Sequence, residues 1–321
     1  MKILVIKLGA LGDFVQATVA MKRTREAHPD DRITLLTTPP FEALAKATGW
    51  FDAVDTDGRP NGWWATWQML RRLKRANYDR VYDLQTSSRS SSYFQFLRPH
   101  PPAWSGIARG ASHPHANPNR DLMHTVERQA DQLKYAGVWP DAPTEPGTAP
   151  NPDLSFLAAD EPAPEKPYVL LIPGGSAHRL DKRWPGGRYA QLARHLRDEG
   201  YEVLIVGGPQ EKPVAEEIAR IGRGIRDMTG KTDFLQLARL ASRAALAIGN
   251  DTGPTHLIAA AGAPTLVLFS QASDPTLCAP RGKVRILHRD SLETLSVKEV
   301  METAEAMLPS PSRGEGPGMG V

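Results

Sequence analysis

The feature that most constrains this chain is a pattern that runs twice along it: short apolar runs, several ending in a glycine loop, each followed by a helical stretch. ILVIKL, ITLLTT, AVDT and DRVYDLQ occupy the first half, and YVLLIPG, EVLIVGG, AALAIGN and PTLVLFS the second. Aliphatic runs of strand length alternating with helices imply a parallel sheet covered by helices on both faces, because each crossover must return the chain to the same edge. In the first half the pattern predicts helices over 13–26, 41–48 and 63–76. In the second it predicts helices over 187–199, 210–220, 234–241, 254–261 and 296–308. Both halves are therefore expected to be open α/β units, which take ligands at the carboxyl ends of their strands. Two such units facing each other would enclose a cleft.

A chain of 321 residues also exceeds what one ordinary core serves, and two domains of about 150 residues each suit it. The proline-dense tract WPDAPTEPGTAPNPDL…EPAPEKP has the composition of a connector. The expected division is an N-terminal domain over 1–145, a linker over 146–166, a C-terminal domain over 167–308 and a disordered tail over 309–321. Residues 99–120, rich in Pro, Gly, Ser and His, read as an irregular segment.

Composition narrows the setting. The only cysteine is Cys278, so no intramolecular disulfide can form, and a cytoplasmic protein is expected. The apolar start reaches Gly9, Gly12 and Asp13 within a strand's length, which suits neither a signal peptide nor a membrane span. A net charge of +3 is too small for a nucleic-acid binder. Arg71, Arg72, Lys74, Arg75 and Arg80 nevertheless gather in one stretch (71–80). That stretch reads either as a solvated helix face or as a surface meeting acidic lipid headgroups or a phosphorylated acceptor.

Three strand-end loops combine glycines with a chemically useful side chain. In Lys7-Leu8-Gly9-Ala10-Leu11-Gly12-Asp13 the glycines allow a tight turn and close approach to a ligand, and Asp13 is either a helix cap or a functional carboxylate. The loop lacks a full G-x-G-x-x-G, which disfavours a nicotinamide dehydrogenase. The second loop runs from Pro173 to Pro185; its backbone N–H groups and Lys182 could meet phosphate oxygens, although Lys182 also reads as a surface lysine. It is no Walker A loop, having no Gly-Lys-Ser/Thr. The third, Gly249-Asn250-Asp251-Thr252-Gly253-Pro254-Thr255-His256, ends an apolar strand and opens a helix with proline near its first position. The N-terminus of that helix is an anion site, and His256, one turn in, is either a packed histidine or a ligand contact.

Together KLGALGD, PGGSAHRLDKRWP and GNDTGPTHLIAAAGAPTLVLFS resemble the ADP-heptose:lipopolysaccharide heptosyltransferases, glycosyltransferase family nine, in that family's order and spacing over residues 1–285. The resemblance implies the GT-B fold, two Rossmann-like domains across a cleft, with the acceptor on the N-terminal one and the nucleotide sugar on the other. It implies an inverting transfer of a heptose from ADP-heptose to the lipopolysaccharide inner core, a lipid A-Kdo type acceptor, with no metal and no cofactor. Carried onto matching positions, Asp13 is the base, and Gly12 of its loop is counted with the residues that bind the nucleotide sugar. Lys182 and the backbone of Thr252 and Gly253 meet the diphosphate, Asp251 holds sugar hydroxyls, and His256 supports that region. Glu211 falls near the adenosine ribose and Thr232 near the base. Ala177 and His178 stand where the resemblance leads one to expect hydroxyl residues, leaving Ser176 as the nearest hydroxyl. A peripheral contact with the cytoplasmic face of the inner membrane is a further expectation. The competing readings are a nucleotide-sugar-binding protein without turnover and a nucleotide-sugar epimerase on a GT-B-like fold; release of free ADP would separate transfer from mere binding.

Overall fold

The computed structural model describes residues 1–158, 165–175, 179–221 and 224–308. The expectations for Ser176, for part of the linker and for the 309–321 tail fall outside them. Twelve strands are described: β1 (Lys2–Ile6), β2 (Arg32–Leu36), β3 (Ala53–Asp55), β4 (Arg80–Asp83), β5 (Ala103–Gly106), β6 (His113–Pro114), β7 (Tyr168–Ile172), β8 (Glu202–Ile205), β9 (Arg226–Asp227), β10 (Leu246–Asn250), β11 (Thr265–Ser270) and β12 (Val284–Arg289). The α-helices of the first half are α1 (Leu11–Ala27), α2 (Glu42–Ala47), α3 (Trp63–Ala76), α4 (Ser88–Phe96) and α5 (Thr125–Tyr135). Those of the second are α6 (Gly186–Asp198), α7 (Lys212–Ile221), α8 (Phe234–Ser242), α9 (Gly253–Ala260), α10 (Pro275–Cys278) and α11 (Val297–Glu305).

The strands form two six-stranded sheets, ordered β3-β2-β1-β4-β5-β6 and β12-β11-β10-β7-β8-β9, and every pairing is parallel. The fold is thus α/β with two doubly wound sheets, the GT-B arrangement. In each sheet the chain direction of winding reverses between two central strands, β1 and β4 or β7 and β10. A crevice opens there at the carboxyl edge, where ligands of such sheets bind. The central strands are apolar on both faces because helices cover both: β7 (YVLLI) and β11 (TLVLFS) are buried throughout. The helix predicted over 63–76 matches α3. Residues 99–120 differ from expectation, because β5 and β6 lie within them as the outer strands of the first sheet. Pro114 is tolerated because it sits at the sheet edge.

The halves share apolar surface. Phe14 of α1 stacks on Phe41 at 4.4 Å, and Phe41 meets Phe234 of α8 at 5.3 Å. One buried cluster runs from Ile3 and Val15 through Leu257 and Ile258 to Leu170 and Leu204. Within the tract expected to connect the halves, Leu154 is buried and its N–H donates to the Ala260 carbonyl at 2.7 Å.

A buried ion pair also joins the halves. Arg281 donates to Glu127 of α5 at 2.7 Å, and Glu127 further accepts from the N–H groups of Gly147 and Ala149. Burial alone would raise its pKa, but His124 and Arg281 outweigh that and hold it at about 2 instead of the usual 4.5. Such a carboxylate adds stability that is complete above its unfolded value and is lost as pH falls toward its folded one. We therefore expect Glu127→Gln to lose about 3 kcal/mol of unfolding free energy at neutral pH. In urea titrations the gap to wild type should narrow between about pH 5 and pH 3, as wild type loses the same contribution. A gap constant over that range would show that the charge of Glu127 is not coupled to folding.

Candidate active site

Where the carboxyl edges of the two sheets meet there is a cleft of about 860 Å³, lined by residues of both halves. Asp13, Gly12, Lys182, Glu211, Thr232, Asp251, Thr252, Gly253 and His256 all line it. Nine of the ten residues singled out from sequence are thereby brought together from five separate segments, and Ser176 lies outside the described residues.

On the N-terminal side, α1 begins immediately after the β1 loop. Its cap position is Ala10, without a side-chain cap bond, so Asp13 stands in the first turn and does not cap the helix. Its carboxylate is exposed and takes no hydrogen bond or ion pair among the described residues. Behind it Lys7, at the buried end of β1, donates to the Leu84 carbonyl at 3.1 Å. Burial and then the repulsion of Arg128 outweigh the attraction of Asp13 and Asp83, and lower the Lys7 ammonium to about 8. Burial raises the neighbouring Asp83 to about 6.

Lys7 and Asp13 also border a smaller recess with Arg120, Arg128, Gln129 and Gln132. There the buried Nε of Arg120 and Oε1 of Gln129 have no hydrogen-bond partner. Arg120 is paired with Asp121 at 2.7 Å, but Lys7 and Arg128 have no ion pair among the described residues, which makes this recess receptive to an anion. Sequence reading missed it. α5 buries Glu127, Gln129, Asp131 and Gln132 along with Val126, Ala130 and Leu133, so charged and polar side chains obscure the helical apolar spacing of its inward face. A lysine ending an apolar strand was the one signal available.

On the C-terminal side, Lys182 Nζ donates to Asp251 Oδ2 at 2.8 Å, and both side chains are largely buried. Burial would raise Asp251, yet His256 and Lys182 overcome it and hold the carboxyl far below its usual range. Lys182 is thus no free surface lysine. With three donors it can keep Asp251 and still turn one N–H toward a phosphate oxygen. The N–H groups of Thr252 and Gly253, at the start of α9, take no partner among the described residues and border the cleft, the arrangement of a helix-terminal anion site.

His256 is held from the opposite half. Gln16 Nε2 lies 2.9 Å from the Cys278 carbonyl and 3.2 Å from His256 Nδ1. A carbonyl only accepts, so the Gln16 nitrogen faces it, and Nδ1 accepts as well. The proton then sits on Nε2, 3.7 Å from Asp251 Oδ1. Gln16, Asp251, His256 and Lys182 form one connected chain across the cleft.

Two further positions set the loops. Asn250 is fully buried and spends its whole side chain on neighbours: Oδ1 accepts from Trp184 N–H and Tyr189 hydroxyl, and Nδ2 donates to the carbonyls of Pro173 and Gly174. It ties the loop after β7 to the end of β10, a role the motif did not disclose. Glu211 is wedged against Gly174, where a Cβ would meet its Cγ at 2.4 Å, and its Oε2 accepts from Gly208 N–H at 2.7 Å.

Gly12 and Gly253 let the two helix starts abut. A Cβ on Gly253 would lie 2.7 Å from Leu11 Cβ, and one on Gly12 would lie 3.0 Å from the His256 ring.

Among known proteins, residues 66–303 match the family described as glycosyltransferase family 9 (heptosyltransferase). Lipopolysaccharide heptosyltransferase 2 of Salmonella typhimurium is 26% identical over 222 residues, which cover 63% of this chain and 62% of that protein. The match to that relative thus spans somewhat less than two thirds of its length. Among solved structures, E. coli ADP-heptose lps heptosyltransferase II superposes with a TM-score of 0.78 at 23% identity, covering 96% of this chain and 98% of that one. E. coli heptosyltransferase WaaC with ADP gives 0.74 at 20% identity, covering 96% and 100%. At these identities the two structures bear on the fold.

The abutment predicts a specific sensitivity. Gly253→Ala brings a methyl against the Cβ of Leu11, which cannot withdraw unless α1 moves. Thermal unfolding should therefore report a loss of about 1–3 kcal/mol, the range for overpacked cores. Unchanged stability would mean that α1 and α9 are not tightly apposed.

Proposed function

Since this chain belongs to glycosyltransferase family 9, the heptosyltransferases, we propose that it moves a heptose from ADP-heptose to the lipopolysaccharide inner core, inverting the anomeric centre without a metal. The observation that carries the reading is the unpaired carboxylate of Asp13, across the cleft from Lys182 and the free N–H groups that open α9.

In this mechanism the acceptor hydroxyl gives its proton to Asp13 as its oxygen bonds to the anomeric carbon from the side opposite the diphosphate. The bond from that carbon to the diphosphate oxygen breaks, and its electron pair leaves with ADP. Charge growing on the leaving group is met by Lys182 and by the N–H groups of Thr252 and Gly253, so the chain itself supplies the neutralisation a metal would otherwise provide. Asp251, oriented by Lys182 and His256, is left to accept from sugar hydroxyls. Glu211, with Oε1 free of partners among the described residues, is suited to the ribose, and Thr232 to the base.

A Kdo-type acceptor carries carboxylates, and the recess of Lys7, Arg120 and Arg128 beside Asp13 is suited to one of them. Such an acceptor is lipid-borne, which puts the reaction at the cytoplasmic face of the inner membrane by peripheral contact. Among the described residues no helix is long and apolar enough to cross a membrane. The division into acceptor and donor domains at 146–166 belongs to this same reading.

Asp13→Asn keeps the size of the side chain but cannot accept the proton. Turnover should fall by about 10²–10⁴-fold, while calorimetric affinity for ADP-heptose stays within twofold or so of wild type. Lost donor affinity would contradict the base assignment. Lys182→Ala should weaken donor affinity by about 10–100-fold, as expected for a charge-assisted contact, and lower turnover with it. Wild-type kinetics would remove Lys182 from the donor site.

A further inference from the structure

The helix α3 carries an outward face that neither the cleft nor the core uses. Its inner face is settled: Met69 and Leu73 are buried in the cluster that holds Leu8, Leu36 and Trp104. Its outer face begins with three tryptophans, Trp63, Trp64 and Trp67, exposed to 78%, 52% and 36%. They are not left over from the core but gathered: Trp63 meets Trp64 edge-on at 5.5 Å, Trp64 stacks on Trp67 at 4.9 Å, and the Arg71 guanidinium lies 4.5 Å over the Trp67 ring. Residues 64, 67, 71 and 74 or 75 share one face by helical spacing, so the aromatic patch runs directly into Arg71, Lys74 and Arg75.

Those three cations are exposed and form no ion pair among the described residues, and α3 contains no acidic residue. Two of the cations counted in the 71–80 stretch do not belong to this face. Arg72 is paired with Asp55 and Asp57, and Arg80 turns to the ring and hydroxyl of Tyr82.

Indole rings are favoured at the boundary between hydrocarbon and water, and unpaired Lys and Arg are attracted to anionic headgroups. A protein surface would also cover the rings, but the row of uncompensated cations beside them selects a partner with excess negative charge. We propose that the outer face of α3 docks this protein on an anionic phospholipid bilayer, with the tryptophans entering the headgroup layer and Arg71, Lys74 and Arg75 lying on lipid phosphates.

The placement suits a lipid-borne acceptor. The loop before α3 lies against the β1 loop: Gly58 N–H donates to the Thr37 carbonyl, and Leu8 fills the space where a Gly58 Cβ would stand. The tryptophan end of α3 is thus on the sheet edge that carries Asp13. The proposal rests on the transferase reading for its purpose, but its test needs no acceptor.

The full chain would be mixed with vesicles of phosphatidylcholine alone, or of phosphatidylcholine with phosphatidylglycerol, without sugar or acceptor, and sedimented. Binding is expected only with phosphatidylglycerol and should decline with salt. Each of Arg71→Gln, Lys74→Gln and Arg75→Gln should weaken it about fivefold. Trp64→Ser/Trp67→Ser should abolish it while leaving turnover of a deacylated, water-soluble acceptor unchanged, which also shows that the variant is folded. Failure of wild type to bind, equal binding by the tryptophan variant, or a wild-type dimer that this variant converts to monomer would each overturn the proposal. Failure of transfer to the soluble acceptor by wild type would instead count against the transferase reading alone.

Discussion

The structure depends on the close meeting of two helix starts, α1 from the first half and α9 from the second. Gly12 and Gly253 permit it, since a side chain at either would strike the opposite element. Because both helices begin at the carboxyl edges of their sheets, this one contact brings two anion-receptive crevices face to face and sets the width of the cleft. The apolar seam of Phe14, Phe41 and Phe234 stabilises it from behind, and the Glu127–Arg281 pair does so at the side. Family motifs that look like ligand loops are therefore also joints: their glycines serve packing between the halves.

The charges in the cleft divide by side. In the C-terminal half they are mutually satisfied, with Asp251 held ionised by Lys182 and His256, and His256 fixed by Gln16 from the other half. That network is preorganised, so a bound diphosphate would meet donors already aimed, with little rearrangement. In the N-terminal half the balance is left open. Asp13 is unpaired, while behind it Lys7 and Arg128 line the recess without an ion pair among the described residues, next to an Arg120 that Asp121 already holds. An acceptor bearing negative charge would complete that side, so each half lacks what one substrate brings.

Much of this was legible in the residues. The alternation of apolar runs and helices disclosed two parallel sheets, and the three glycine loops disclosed which strand ends matter, because backbone freedom and a charged side chain coincided there. What stayed hidden depends on convergence. Gln16 contacts His256 across 240 positions, and Asn250 looked like one more polar residue of a loop until its four bonds were seen. α5 escaped notice because the face it buries is partly polar, and β5 and β6 because such short strands are defined by backbone pairing and not by apolar alternation. The basic stretch at 71–80 was visible as composition, but only the fold separates Arg72 and Arg80 from the face that α3 presents outward.

The central claim is geometric: a carboxylate of the first half confronts the anomeric carbon of a sugar whose diphosphate is held by the second. A crystal structure with an unreactive ADP-heptose analogue would test it most directly. The account requires the diphosphate on the Thr252 and Gly253 N–H groups and Lys182, with the sugar directed at Asp13. A diphosphate seated elsewhere, or an Asp13 carboxylate on the far side of α1 from the sugar, would contradict it.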